Sequence, residues 1–308
     1  MKVFFNRVPR DEPYGGGNQF LSAMVKHLVN HDHEVTFNLE ENIDIIFLMD
    51  PRPGDIGYSI EHVSRYKSAH PETKILHRVN ECDKRKDTSF IDKILLDSAN
   101  ISDEVVFISQ WLADYFVNAG YDKDYHVIYN GCNADHFYPG NRKIVTHKPK
   151  LVTHHWSDNW MKGFDLYTEI DRYLQDNDDF EFTYVGRYNK TYSPSATSIV
   201  GPLSGASLGN ELRKHDIYVT ASKFEPCGMH HIEGAASGMP VIYHTDTGGI
   251  KELCKQHGEE YETFHQFLNA IDIIVKDYKS YVSKIDTEFM NIDRCVSQYY
   301  NIIESMVN

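Results

Sequence analysis

Short apolar runs alternate with amphipathic stretches along nearly the whole chain. KVFF (2–5), EVTFNL, IDIIFLM, KILHRV (74–79), EVVFIS (104–109) and HVIYN (126–130) are of strand length and rich in β-branched and aromatic residues, and they read as strands. A glycine turn follows the first. After it comes NQFLSAMVKHLVNH, which sets Phe20, Leu21, Met24, Val25 and Leu28 on one helical face. Further amphipathic helices separate several of the other strands. This alternation predicts a parallel, doubly wound sheet. YPGNRKIVTHKPK (138–150) is polar and turn-rich and reads as a linker. The alternation then restarts with KLVTHHW, a helix near 162–175, FEFTYVG, SIV, a helix near 205–214, IYVTAS, a helix from about 228, and PVIYH. From 262 onward the pattern is helical, through FLNAIDIIVKDY and CVSQYYNIIESMV. The expected organisation is α/β: two Rossmann-like domains, 1–145 and 146–285, and a C-terminal helix within 286–308 that packs back on the first domain.

Composition narrows the partners. The 308 residues are 41% hydrophobic, enough for a substantial core, and carry a net charge of −14. Residues 1–147 hold 16 basic and 22 acidic side chains and the remainder 15 and 23, so neither half is a basic module. That argues against nucleic acid as a partner and against a purely electrostatic membrane attachment. Five widely spaced cysteines (82, 132, 227, 254 and 295) form no Cys-x-x-Cys. The expectation is a reducing compartment, without a disulfide framework or a zinc ribbon. MKVFFNRVPRDEPYGGG has no signal-peptide core, and no window approaches the ~20 apolar residues of a spanning helix. A soluble, cytoplasmic protein is expected, with membrane contact at most peripheral.

Four stretches carry candidate chemistry. YGGGNQF places Gly15, Gly16 and Gly17 between the first strand and the first helix, where backbone N–H groups can approach an anion. The same residues also suit a plain tight turn, and the spacing is not G-x-G-x-x-G. HRVNECDKRK (77–86) brings Asn80, Glu81 and Asp83 to the carboxyl end of a strand, where doubly wound folds take ligands. Lys84, Arg85 and Lys86 add positive charge there, and a solvated turn is the competing reading. HHWSDNWMKGF puts Lys162 at the start of a helix, a place unfavourable for a cation unless an anion is held there. A surface lysine explains it equally. SKFEPCGMHHIEGAASGMPVIYHTDTGGIKEL (222–253) holds Glu225 just before a helix and Glu233 more than a turn inside it, with the N–H groups of Gly228 and Met229 facing the same space. Carboxylates accept from sugar hydroxyls, and helix N-termini take phosphate oxygens, so a phosphorylated, polyhydroxylated ligand fits. Two surface acids at a helix start are the alternative. His230 and His231 point about 100° apart on a helix and cannot share one metal ion. No metal site is expected.

The last of these stretches resembles the E-x7-E region of the family 4 retaining glycosyltransferases, which have the GT-B fold. The resemblance continues in GGG after the first strand, VFISQWLADYF, IYNGCNADHFYP, MKGFDLY and GPLSGASLGNELRKHDIYVTAS, and so spans nearly the whole chain. It implies a nucleotide-sugar donor of UDP or GDP type bound mainly by the C-terminal domain, an acceptor on the N-terminal domain, and reaction in a cleft between them. By the same resemblance, Glu233 takes the ribose hydroxyls and Glu225 the donor sugar. Gly228 and Met229 supply backbone donors, Lys162 holds the diphosphate, and Gly15 and Gly16 lie in a loop that closes over it. Glu225 and Lys162 are the residues implied in catalysis. The family commonly has Gly-Arg shortly before Lys-Gly. HHWSDNWMKG has no arginine there, and Ser157 or Arg187 is the candidate replacement. The family's histidine after the fourth strand falls at Asn80 or Glu81, with His77 earlier on the strand. The acceptor class is left open among a glycan, a lipid-linked molecule and a small molecule, and neither metal nor cofactor is implied. A nucleotide-sugar 2-epimerase and a non-catalytic nucleotide-sugar-binding protein share the architecture. A glycoside hydrolase would need its acids about 5–10 Å apart across a glycosidic bond and has no use for a diphosphate site.

Overall fold

A computed structural model describes residues 1–10, 15–53, 57–140 and 148–307. Contacts divide the chain into two compact units, Met1–Asn130 with Asp293–Asn308, and Gly131–Ile292.

In the first unit the apolar runs form β1 (Lys2–Phe5), β2 (Glu34–Thr36), β3 (Ile45–Leu48), β4 (Lys74–Val79), β5 (Glu104–Phe107) and β6 (His126–Val127). All pair in parallel, in the order β2-β1-β3-β4-β5-β6. Helices α1 (Gly15–Asn30), α2 (Ile60–Ala69), α3 (Asp83–Lys86), α4 (Ile91–Ile101) and α5 (Gln110–Asn118) make the crossovers. Every residue of IIFL in β3 is buried, as expected of a parallel strand covered on both faces. The same covering buries even His77 and Arg78 in β4. The Arg78 guanidinium lies 4.3 Å from the Phe20 ring centroid and donates to the Asn130 side chain at 2.8 Å.

The second unit repeats the scheme with β7 (Lys150–His155), β8 (Glu181–Gly186), β9 (Ser198–Val200), β10 (Ile217–Thr220), β11 (Val241–His244) and β12 (Gly258–Tyr261). Their order is β12-β11-β10-β7-β8-β9, again parallel. The helices are α6 (Phe164–Leu174), α7 (Gly205–Leu212), α8 (Met229–Ala236), α9 (Ile250–Cys254), α10 (Phe264–Lys276) and α11 (Tyr278–Ser283). The core runs through Phe164, Tyr167, Phe182, Tyr184, Val219 and Phe267. The last helix, α12 (Ile292–Val307), joins the first unit from Asp293, where Tyr299 meets Phe20 at 4.9 Å and Phe47 at 5.6 Å between ring centroids.

The boundary differs from the expected 145/146. Residues 131–140 belong to the second unit because they are tied into it. Cys132 N–H donates to Met290 O at 2.7 Å, and Ile292 N–H donates back to Cys132 O at 2.9 Å. Arg213 stacks on Tyr138 at 3.9 Å and donates to His136 O at 2.8 Å. The polar composition of 138–150 suggested a linker, but these backbone and cation–π contacts start earlier in sequence. Residues 141–147 of that stretch lie outside the described residues. The C-terminal helix, Ile292–Val307, lies within the expected 286–308.

Candidate functional site

The second unit gathers Lys162, Glu225, Gly228 and Glu233 around the start of α8. After β7 the chain makes a short 3-10 turn, Trp160–Lys162, and Gly163 then takes φ +94° to enter α6. A side chain at Gly163 would meet Ala221 Cβ at 2.1 Å, so glycine lets this turn press on the exit of β10. Lys162 is therefore not in the first turn of α6, as expected, but in the turn preceding it. Its Nζ stands 2.5 Å from Glu225 Oε2, with the two side chains 12% and 5% exposed. A surface lysine is not what the structure contains.

Glu225 sits in the loop ahead of α8 and is braced by the TDTGG segment. Its N–H donates to Thr247 O at 3.1 Å, its carbonyl accepts from Gly249 N–H at 3.0 Å, and Phe224 N–H donates to Asp246 O at 2.8 Å. Phe224 holds φ +51°, a left-handed conformation that costs a bulky residue energy and is found where surrounding structure enforces it. At Gly228 a Cβ would lie 2.6 Å from the His230 ring and 3.0 Å from Glu225 Cγ, so only glycine fits. Gly228 is the N-cap of α8 and offers no side chain to the first-turn N–H groups, and that turn holds no acid. Those N–H groups and the helix dipole make a site for negative charge.

Glu233 lies one turn into α8, where every residue is buried. His154 Nε2, at the end of β7, stands 2.7 Å from Glu233 Oε2. His154 Nδ1 meets the Tyr218 hydroxyl at 3.1 Å, and His154 N–H donates to the same oxygen at 3.2 Å. Burial, first, and the nearby Tyr167 hold the Tyr218 phenol well above its ordinary pKa, so it stays protonated. Around this lie three more buried histidines. His155 Nε2 is 2.8 Å from the Tyr167 hydroxyl, and His230 Nε2 is 2.9 Å from Thr220 Oγ1. His231 has no hydrogen-bond partner at either ring nitrogen among the described residues. Burial keeps all three neutral, driving His231 down to about 3 and His155 and His230 well below the usual value. Among the described residues no group of three His, Cys, Asp or Glu is disposed to hold a metal ion.

The remaining candidates have local roles. Ser157 Oγ accepts from Asn159 N–H at 3.3 Å, and the exposed Arg187 lies 3.9 Å over the Trp156 ring. In the first unit, α1 begins at Gly15, so Gly15 and Gly16 form its first turn rather than a loop before it. A Cβ on Gly17 would lie 3.9 Å from Asn80 Nδ2, which places the half-buried Asn80 beside that turn. Glu81 is buried and takes Arg85 at 2.8 Å and Lys86 at 2.7 Å. Asp83 accepts from the N–H groups of Phe90, Ile91 and Asp92 at 3.0–3.1 Å. Burial opposes its ionisation, but the Thr88 hydroxyl and these N–H groups outweigh it and lower its pKa. Asp83 thus organises the start of α4.

Sequence reasoning passed over His154, Tyr218 and the Thr247–Gly249 brace. Two histidines in the otherwise apolar KLVTHHW were the available signal for the first.

The fold is of the GT-B kind. Anabaena HepE, solved in complex with UDP and glucose, superposes with a TM-score of 0.74 at 15% identity, covering 99% of both chains. Sucrose-phosphate synthase from Thermosynechococcus elongatus gives 0.73 at 14% identity, over 99% of this chain and 98% of that one. WaaG, a glycosyltransferase involved in lipopolysaccharide biosynthesis, gives 0.68 at 12%, over 98% and 99%. No curated protein matches the chain by sequence. Residues 152–282, which contain Lys162, Glu225, Gly228 and Glu233, match the family model described as Glycosyl transferases group 1.

Proposed function

We propose that the protein is a retaining glycosyltransferase that moves a sugar from a nucleoside diphosphate to an acceptor hydroxyl in glycan or polysaccharide assembly. The observation that carries this reading is the buried constellation at the start of α8: two carboxylates, a lysine and an uncapped helix N-terminus, all inside the segment that matches the group 1 model. A neutral sugar and a dianionic diphosphate need both kinds of partner. Glu233 accepts from the ribose and Glu225 from the donor sugar, while Lys162 and the N–H groups of Gly228 and Met229 stabilise the diphosphate as charge builds on it. The acceptor is taken by the first unit, where Asn80 and Glu81 stand at the end of β4. No side chain is assigned as a nucleophile. The departing diphosphate takes the acceptor's proton as the acceptor attacks from the same face, and the anomeric configuration is kept. HepE, of the same fold, was solved with UDP and glucose, which favours UDP-sugars as the first donors to try. No described helix is long and apolar enough to cross a membrane. We place the reaction in the cytoplasm, with membrane contact no more than peripheral.

The test is nucleotide release from UDP-, GDP- and ADP-sugars with and without glycan and small-molecule acceptors. Release that depends on acceptor and yields an α-linked product from an α-donor is the expected result. A modified nucleotide sugar without acceptor would instead identify an epimerase, and tight binding without turnover a sensor.

A further inference from the structure

We propose that His154 is a positioning residue for nucleotide recognition. It holds the Glu233 carboxylate in the orientation that accepts the two ribose hydroxyls, and Tyr218 holds His154. The inference rests on the nucleotide-sugar reading above and extends it to two residues outside the E-x7-E segment.

One tautomer of His154 accounts for both bonds of its ring. An ionised carboxylate only accepts, so His154 Nε2, 2.7 Å from Glu233 Oε2, carries a proton. In the tautomer that carries its proton on Nε2, Nδ1 accepts from the Tyr218 hydroxyl 3.1 Å away. The Tyr218 oxygen in turn accepts from His154 N–H at 3.2 Å. Both ring nitrogens are satisfied in one tautomer, and the ring is pinned from two sides. Of the other histidines here, His155 is engaged with Tyr167 and His230 with Thr220, and His231 has no hydrogen-bond partner among the described residues. The His154 and Glu233 side chains are 9% and 4% exposed, so the bond is charge-assisted and shielded from water. A glutamate otherwise has freely rotating torsions, and a diol is bound well only if both carboxylate oxygens are aimed. Second-sphere partners of this kind orient ligating groups in metal sites, and the same logic applies to a carboxylate that takes a diol.

The experiment compares the binding of UDP and GDP with that of their 2′,3′-dideoxy forms by titration calorimetry. Wild type should prefer the ribose form by about tenfold or more, because hydroxyls bonded to a charged acceptor are lost in the analogue. In His154→Ala that preference should fall below about threefold, while the dideoxy form keeps its affinity within about twofold. His154→Gln, which restores an N–H donor, should recover most of it. A merely structural role would weaken both nucleotides alike. That outcome, or an unchanged preference in His154→Ala, overturns the proposal. Should His154→Ala fail to fold, Tyr218→Phe decides: a narrowed preference supports the relay and a wild-type preference overturns it. If wild type binds neither nucleotide nor ADP, the nucleotide-sugar reading itself falls. If Glu233→Gln abolishes the preference but the His154 and Tyr218 variants do not, that reading stands and this inference falls.

Discussion

Lys162 and Glu225 stand 2.5 Å apart with little exposure on either side. An exposed pair is worth about 0–1 kcal/mol, whereas removing one partner of a buried pair costs about 3–5 kcal/mol because it strands the other charge. Lys162→Met should therefore lower the urea-unfolding free energy of the ligand-free protein by about 3 kcal/mol, and adding Glu225→Gln should recover most of that. On the proposed mechanism the lysine gains importance as the diphosphate leaves. At a temperature where the variant is folded, Lys162→Met should reduce kcat by about tenfold or more and weaken donor binding less. A loss under about fivefold, with the stability effect intact, would mean that the lysine serves the fold and not the reaction. The two acids were legible in the sequence because Pro226 and Gly228 mark the helix start that separates them. The pairing of Lys162 with Glu225 was not, since the partners lie 63 residues apart and meet only through the turn at Gly163.

At the scale of elements, β7, β10 and α8 form a layer with an unusual load of buried imidazole. β7 contributes His155, α8 contributes His230 and His231, and His257 precedes β12. Burial is the leading cause that depresses each, to about 3 for His231 and about 4 for His257, and well below the ordinary value for His155 and His230. In the unfolded chain each would titrate near 6.5. Below that pH the unfolded state binds protons the folded state refuses, so stability is full above about 6.5 and falls as pH drops. Each histidine contributes up to about 1.4 kcal/mol per pH unit. Carboxylates with lowered pKa values act only nearer pH 4, so the window from pH 6.5 to 5 isolates the imidazoles. The urea midpoint should fall steeply across it, and the second unit should lose structure first. A flat midpoint from pH 7 to 5 would show that the rings take up protons inside the fold. Periodicity located these elements within a few residues and marked KLVTHHW as a strand, but it assigned its histidines no role. A parallel strand covered on both faces gives polar residues no outward side, so alternation says nothing of where they point.

Over the whole molecule, two six-stranded parallel sheets present strand ends and helix N-termini, and the alternation of the sequence made that architecture legible throughout. What composition missed was the boundary, because residues 131–140 are tied into the second unit by the backbone bonds of Cys132 to 290–292 and by Arg213 on His136 and Tyr138, which leave no mark in composition. The net charge of −14 sharpens a further question: how an acidic protein would neutralise an anionic diphosphate. Screening confines charges to about 8 Å at physiological salt, so the local groups decide. On the proposed function those groups are Lys162 and the N-terminus of α8, equivalent to roughly half a positive charge. On that proposal, these two groups supply the counter-charge without a metal ion. Turnover should therefore persist in a strong chelator at a rate within about twofold of the untreated enzyme, a difference under 0.5 kcal/mol at the barrier. The control is Lys162→Met, whose residual rate should likewise ignore the chelator. If wild-type activity disappears with chelator and returns with magnesium or manganese, the diphosphate charge is carried by a metal ion, and the account of Lys162 and α8 as its counter-charge fails.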